Sequence, residues 1–179
     1  MISGCRLPSL LVVLTLVLAG AKGVRADVKH RLEVTASEAR LDGVRLVRAT
    51  TVPRLVRALG EPSRREKVDG FELALWDADG IVVRHRGAAV HEVSLVLRSQ
   101  RLALPGGEEL DDPAEPTATY DGSVQIGGAP LPASVADLAP RGMKCRAGRG
   151  NHRCSLGHGV ILHVSPERGA AELVVVRVR

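Results

Sequence analysis

Two cysteines and two histidines in the C-terminal part of the chain are the residues best suited to chemistry. Cys145, His152, Cys154 and His158 offer two thiolates and two imidazoles, the donor types that hold zinc. Zinc knuckles space their paired cysteines by two to four residues, whereas eight separate Cys145 from Cys154. The intervening Arg146-Ala147-Gly148-Arg149-Gly150-Asn151-His152-Arg153 is Gly-rich and polar, as a hairpin turn is. The remaining cysteine, Cys5, belongs to an N-terminal stretch with the marks of a removable leader. An even pair in an exported chain favours oxidation. The expectation is a disulfide between Cys145 and Cys154 that staples two strands, with no metal and no cofactor.

Other constellations point away from catalysis. Asp77-x-Asp79-Gly80 opens like a calcium loop, but Ile81, Val82 and Val83 follow where further oxygen ligands are needed. A hairpin turn accounts for it better. Gly106-Gly107-Glu108-Glu109-Leu110 is similar to the turn motif of diguanylate cyclases. Those enzymes need a nucleotide-binding domain around the motif, and here it lies in a Pro-rich linker. His85, His91 and His163 fall in or beside expected strands and read as surface histidines. There is no Gly-x-Ser-x-Gly, no His-Glu-x-x-His and no phosphate-cradling loop. Ser94, Ser123 and Ser155 have no evident His or Asp partners. No catalytic residue is assigned, and the chain leans away from being an enzyme.

The strongest surface signal is basic: Arg54, Arg57, Arg64, Arg65 and Lys67. Such a run is ordinarily a solvated helix face. It could also meet an acidic partner, anionic lipid heads or the chain's own acidic linker. Arg54, Arg57, Arg64, Arg65 and Trp76 are the candidate contact face for a partner.

The leader sets the compartment. Arg6 supplies a positive start, and Leu7 to Ala19 is an apolar run. Ala19-Gly20-Ala21 and Val24-Arg25-Ala26 both fit small-x-small cleavage. This is the order of a secretory signal over residues 1–26, and the run is shorter than the about 20 residues of a membrane span. No cysteine follows it to carry a lipid. The expected location is therefore the periplasm or the medium, with no transmembrane span after cleavage.

Cleavage also changes the charge. The chain carries 25 basic and 20 acidic residues, a net of +5. Residues 1–26 hold Arg6, Lys22 and Arg25 and no acid, so 22 basic residues then face 20 acidic ones, a net of +2. With one Phe, one Tyr and one Trp there is little for bases to stack on. Binding to single-stranded nucleic acid wants a basic groove with aromatic platforms, and it is excluded on both counts.

Periodicity supplies the elements. Arg31 to Ala36 alternates as a strand, and Leu41-Asp42-Gly43-Val44 is a turn between short strands. Val52, Leu55, Val56 and Leu59 make one apolar helical stripe, with Thr50 or Thr51 to cap it, Pro53 in the first turn, and Gly60 and Pro62 to end it. From Phe71 the period becomes two, and strands follow at Phe71–Trp76, Ile81–Val83 and Val93–Leu97. Residues 99–118 read as an acidic, Pro/Gly-rich linker. Beyond it Tyr120 opens a second series: a strand at Ser123–Ile126, a short helix capped by Ser134 and Asp137, and three more strands.

The two series share strings. Asp79-Gly80-Ile81-Val82-Val83 and Glu92-Val93-Ser94-Leu95-Val96 in the first answer to His158-Gly159-Val160-Ile161-Leu162 and Glu172-Leu173-Val174-Val175-Val176 in the second. The fold expected from this is α+β, with two tandem units at 27–98 and 119–179. Each would be one short helix packed on an antiparallel sheet of about four strands.

Thr51-Val52-x-x-Leu55-Val56-x-x-Leu59-Gly60-x-Pro62, followed by a meander, resembles several exported bacterial modules. These are the outer-membrane assembly lipoproteins related to BamE and the β-lactamase inhibitor protein fold. Trp76-Asp77-x-Asp79-Gly80-Ile81 is similar to a repeated bacterial domain of unknown function. The resemblance covers about residues 30–98 and more faintly 119–179, and the inhibitor likeness implies a concave sheet that binds a partner protein. The function expected is a non-catalytic, protein-binding or envelope-associated module. The alternative is an exported hydrolase with a site assembled between the repeats, and a third reading is a structural envelope component held by the basic helix face.

Overall fold

The computed structural model describes residues 29–98, 115–131, 136, 138–147, 152–165 and 171–178. The leader at 1–26, the motif at 106–110, and Ser134 and Asp137 of the expected second helix lie outside the described residues.

Strand β1 (Arg31–Val34) pairs antiparallel with β2 (Ala39–Leu41), which turns into β3 (Val44–Arg45). Asp42 and Gly43 make that turn with φ of 48° and 75°, the left-handed pair of a tight hairpin. Helix α1 (Val52–Leu59) follows. Its stripe buries Val52, Leu55 and Leu59, and Pro53 sits in its first turn as the sequence predicts. Gly60 ends it by donating its N–H to Val56 O at 2.8 Å. Neither threonine caps the helix through its side chain. Thr50 is buried and instead closes the loop before α1, accepting Val47 N–H and donating to Arg45 O.

A four-stranded meander comes next: β4 (Arg64–Val68), β5 (Phe71–Trp76), β6 (Ile81–Arg86) and β7 (Ala89–Val96). In the second half, β8 (Ser123–Ile126) and β9 (Ala129–Pro130) form a short hairpin. A second meander then runs β10 (Lys144–Ala147), β11 (His152–Leu156), β12 (Val160–Val164) and β13 (Ala171–Arg177).

The expectation of two helix-on-sheet units is overturned. The described residues are mostly β, 53% strand and 14% helical, with one α-helix among them. Its strands form a five-stranded sheet, β3-β2-β1-β8-β9, and an eight-stranded sheet, β10-β11-β12-β13-β7-β6-β5-β4. Both sheets are built from both halves. The last strand of each meander pairs antiparallel with the other, Val174 against Leu95 and Val176 against Val93. β1 pairs in parallel with β8, Leu32 beside Val124 and Val34 beside Ile126.

Edge exposure is the physical reason. β7 and β13 are rich in apolar residues, and each left at an edge would offer a sticky unpaired backbone. Pairing them moves both to the middle and leaves the charged β4 and β10 outside. Inner-face side chains of the two sheets and α1 then join one core: Leu32, Ile126, Leu55, Leu95, Leu162 and Val174 all belong to it. Ile81-Val82-Val83 of β6 and Val160-Ile161-Leu162 of β12 are buried without alternation, Val82 and Ile161 lying on the outer face.

Candidate functional site

The disulfide is present. Cys145 and Cys154 stand directly opposite each other on β10 and β11 and are bonded, with Cα atoms 3.9 Å apart. Neither sulfur is therefore available as a metal ligand or nucleophile. Among the described residues no group of three or more His, Cys, Asp or Glu side chains could hold a metal ion.

Asp77-Ala78-Asp79 is a 3-10 turn that joins β5 to β6 and ends at a left-handed Gly80. Its carboxylates face the protein. Asp77 accepts from the Arg64 guanidinium at 3.0 Å and from Thr117 N–H. Asp79 lies 3.5 Å from His30 Nε2, and the other ring nitrogen of His30 is held by Asp42. Tyr120 is buried and donates its hydroxyl to His30 O at 2.6 Å, and burial pushes that hydroxyl's pKa up. His30 thus has a carboxylate at each ring nitrogen, which leaves no face for a substrate. The cluster clamps the β2–β3 turn, the β5–β6 turn and the strand entering β8.

The expected contact residues separate. Arg54 and Arg57 are exposed on α1, and Arg65 is exposed on β4. Among the described residues Arg54 and Arg57 make no ion pair, while Arg65 reaches Glu61 only at 3.9 Å. Arg64 points to the other face of β4, because neighbours in a strand alternate. It is tied to Asp77, to Glu66 at 3.2 Å and to Glu115 O at 2.6 Å. Trp76 is not part of a contact face. It is 2% exposed, and its indole N–H donates to Gly60 O at 3.0 Å. Of the expected contact arginines, the exposed ones therefore lie on α1 and on the face of β4 opposite Arg64.

Beside those arginines lies a cleft of about 540 Å³, within the size range of ligand sites. The start of α1 is tied to the β6–β7 turn, Val52 N–H donating to Ala88 O at 2.9 Å, and β4 and β5 border the cleft through Arg65 and Glu72. Val52, Pro53 and Val56 form the apolar wall on the helix. Arg57 and Glu61 from the helix end, Arg65 from β4 and Glu72 from β5 supply charge, and the β6–β7 turn closes one side with Gly87 and Ala88.

His85 completes the lining, and it is the residue the sequence misplaces. It is expected at the surface, yet it is 2% exposed. A bulge between Arg84 and His85 shifts the β6–β7 register there, the device that re-aims a side chain within a ladder. The ring Nδ1 donates to Gly87 O at 2.8 Å, and Glu72 lies 3.6 Å from the same nitrogen. That bond fixes the tautomer and leaves Nε2 as an acceptor. Nε2 is buried and has no hydrogen-bond partner. An unsatisfied buried acceptor costs about 1–3 kcal/mol. Nothing in Val83-Arg84-His85-Arg86-Gly87 marks a bulge, so this site had no signal in the sequence.

On the outer face of the same sheet, Phe71 carries Arg84 at 3.7 Å and Arg86 at 4.7 Å over its ring, with His91 edge-on. These cations are used in packing.

No protein-family model, curated protein or solved structure matches this chain. The functional reading therefore rests on the site itself. No helix among the described residues is long and apolar enough to cross a membrane.

Proposed function

We propose that the protein is an exported, non-catalytic binding module that meets an acidic protein partner through its α1 side. The observation that carries this reading is the contrast between its arginines. Arg64 is consumed by Asp77 and Glu66, whereas Arg54 and Arg57 stand exposed on α1 without a carboxylate partner among the described residues. Guanidinium groups left free beside an apolar cleft are the composition of a recognition surface. The disulfide is compatible with an oxidising compartment outside the cytosol. The hydrolase alternative needs a polar pocket between the halves. Along the β7–β13 seam Val93, Leu95, Val174 and Val176 are buried together, and where the halves also meet at His30, Asp42, Asp79 and Tyr120 these groups are bound to one another, which weighs against it.

The test is capture from an envelope extract with the purified protein and with an Arg54→Glu/Arg57→Glu variant. A defined partner retained by the wild type, released by salt and lost by the variant is expected. Recovery of no specific partner under several conditions, or of the same partner by both proteins, overturns the reading.

A further inference from the structure

The cleft beside α1 holds both signs of charge and an aliphatic wall. Each of these asks for something different from a ligand. Arg57 and Arg65 ask for an anion. Val52, Pro53 and Val56 ask for an aliphatic side chain. Glu72 asks for an N–H donor. A simple carboxylate meets the first demand and is repelled by Glu61 and Glu72. A simple cation meets the last and is repelled by the arginines.

The last residue of a peptide chain carries all three groups within one residue's length. Its carboxylate is planar and matches a guanidinium fork. Its side chain lies to one side, and its amide N–H points away from the carboxylate. The neighbouring β4 adds a template for the rest of the peptide. Among the described residues β4 pairs on one side only, with β5, and it is the outer strand of its sheet. Extended peptides add to such edges through main-chain hydrogen bonds, and capture of a terminal carboxylate is a recurrent mode of peptide recognition.

We infer that the cleft between α1 and β4–β6 binds the carboxyl-terminal residue of a partner polypeptide, an aliphatic one, with the preceding residues extended along β4. Arg57 and Arg65 hold the carboxylate. Val52, Pro53 and Val56 take the side chain. Glu72 accepts the N–H that enters with it. The inference rests on the partner-binding reading above and narrows it to one structural element of that partner.

The experiment uses the purified, disulfide-intact protein and fluorescein-labelled tetrapeptides Gly-Ala-Ala-X, with X alanine, valine, leucine or phenylalanine. Each is prepared as the free acid and as the carboxamide, and binding is followed by fluorescence anisotropy. The free acids of the valine and leucine peptides are expected to bind at least tenfold tighter than their amides. Arg65→Gln, on an exposed strand edge, is expected to remove that preference, and Arg146→Gln, on β10 at the opposite edge of the sheet, to leave it unchanged. Equal binding of acid and amide, no binding of any free acid at millimolar concentration, or an unchanged preference in Arg65→Gln overturns the inference. If the peptides show no preference while the Arg54/Arg57 reversal still abolishes partner capture, the broader reading stands and the terminal residue is not what enters. If the peptides bind as expected and Arg54→Glu, which spares the cleft, leaves partner capture unchanged, the cleft stands and the acidic-partner reading falls.

Discussion

The Trp76 indole N–H donates to the Gly60 carbonyl at 3.0 Å, which ties the last residue of β5 to the residue that ends α1. Trp76 is the only tryptophan, and it is fully enclosed in the core. The bond therefore sets the height at which the helix sits on the sheet, and with it the cleft beside them.

Trp76→Phe keeps a large apolar ring and removes the donor. It is expected to cost about 1 kcal/mol for the hydrogen bond, plus what the smaller ring loses in packing. Trp76→Ala is expected to cost about 3–5 kcal/mol. Urea unfolding followed by far-UV circular dichroism measures both. A Phe variant as stable as the wild type would show that the bond contributes nothing net.

Gly80 and Gly87 separate steric need from backbone conformation. Both have positive φ, 64° and 55°. A Cβ on Gly80 would lie 2.1 Å from Tyr120 N, inside the clamp that holds the strand entering β8. A Cβ on Gly87 meets nothing within 4 Å. Gly87→Ala is expected to cost about 1 kcal/mol of left-handed strain. Gly80→Ala must also displace backbone and is expected to fall among the exceptional losses, above about 4 kcal/mol. Equal melting temperatures for the two variants would contradict the packing seen at Tyr120.

What could be read beforehand follows from how local each signal is. The helix was legible in Val52, Leu55 and Leu59 with Pro53 and Gly60, and the disulfide in the spacing of Cys145 and Cys154. Strand β5 was legible to the residue, from Phe71 to Trp76, because its turns are written in Asp-Gly pairs nearby. β4 was not, because the charged Arg64-Arg65-Glu66-Lys67 looks like any solvated run. The partnership of β7 with β13 was hidden because strand pairing across about eighty residues leaves no periodic mark. His85 was hidden for a different reason: one bulge decides which way a side chain points.

Removing the disulfide tests how far the second meander depends on it. The loop it closes is short, with a sequence separation of 9. On the loop-entropy account its contribution is about 2–3 kcal/mol. Cys145→Ala/Cys154→Ala is expected to lower the urea midpoint accordingly, with early loss of amide protection at β10 and β11. Protection at β5 and β6, at the far end of the sheet, is expected to change least. Hydrogen exchange resolved by residue measures this, and a uniform loss over both meanders would show that they open as one unit.

His163 gives the fold a pH dependence of known sign. Burial, and then the positive charge of Arg153 opposite it on β11, push its pKa below the ordinary 6.5. Arg177 acts in the same direction and Glu92 against it. The unfolded chain therefore takes up a proton at a pH where the folded one does not. The stability this histidine contributes is complete above about pH 6.5. It falls away as the pH drops from there toward the depressed folded value. His163→Gln removes the titrating group. The difference in unfolding free energy between wild type and variant is expected to be flat above neutrality and to shift against the wild type as the pH falls toward 5. Urea unfolding at a series of pH values gives that difference, and the ring protons of His163 give its midpoint directly by NMR. A difference that stays flat throughout, or a midpoint above 6.5, would mean that Glu92 outweighs burial and the two arginines at this position.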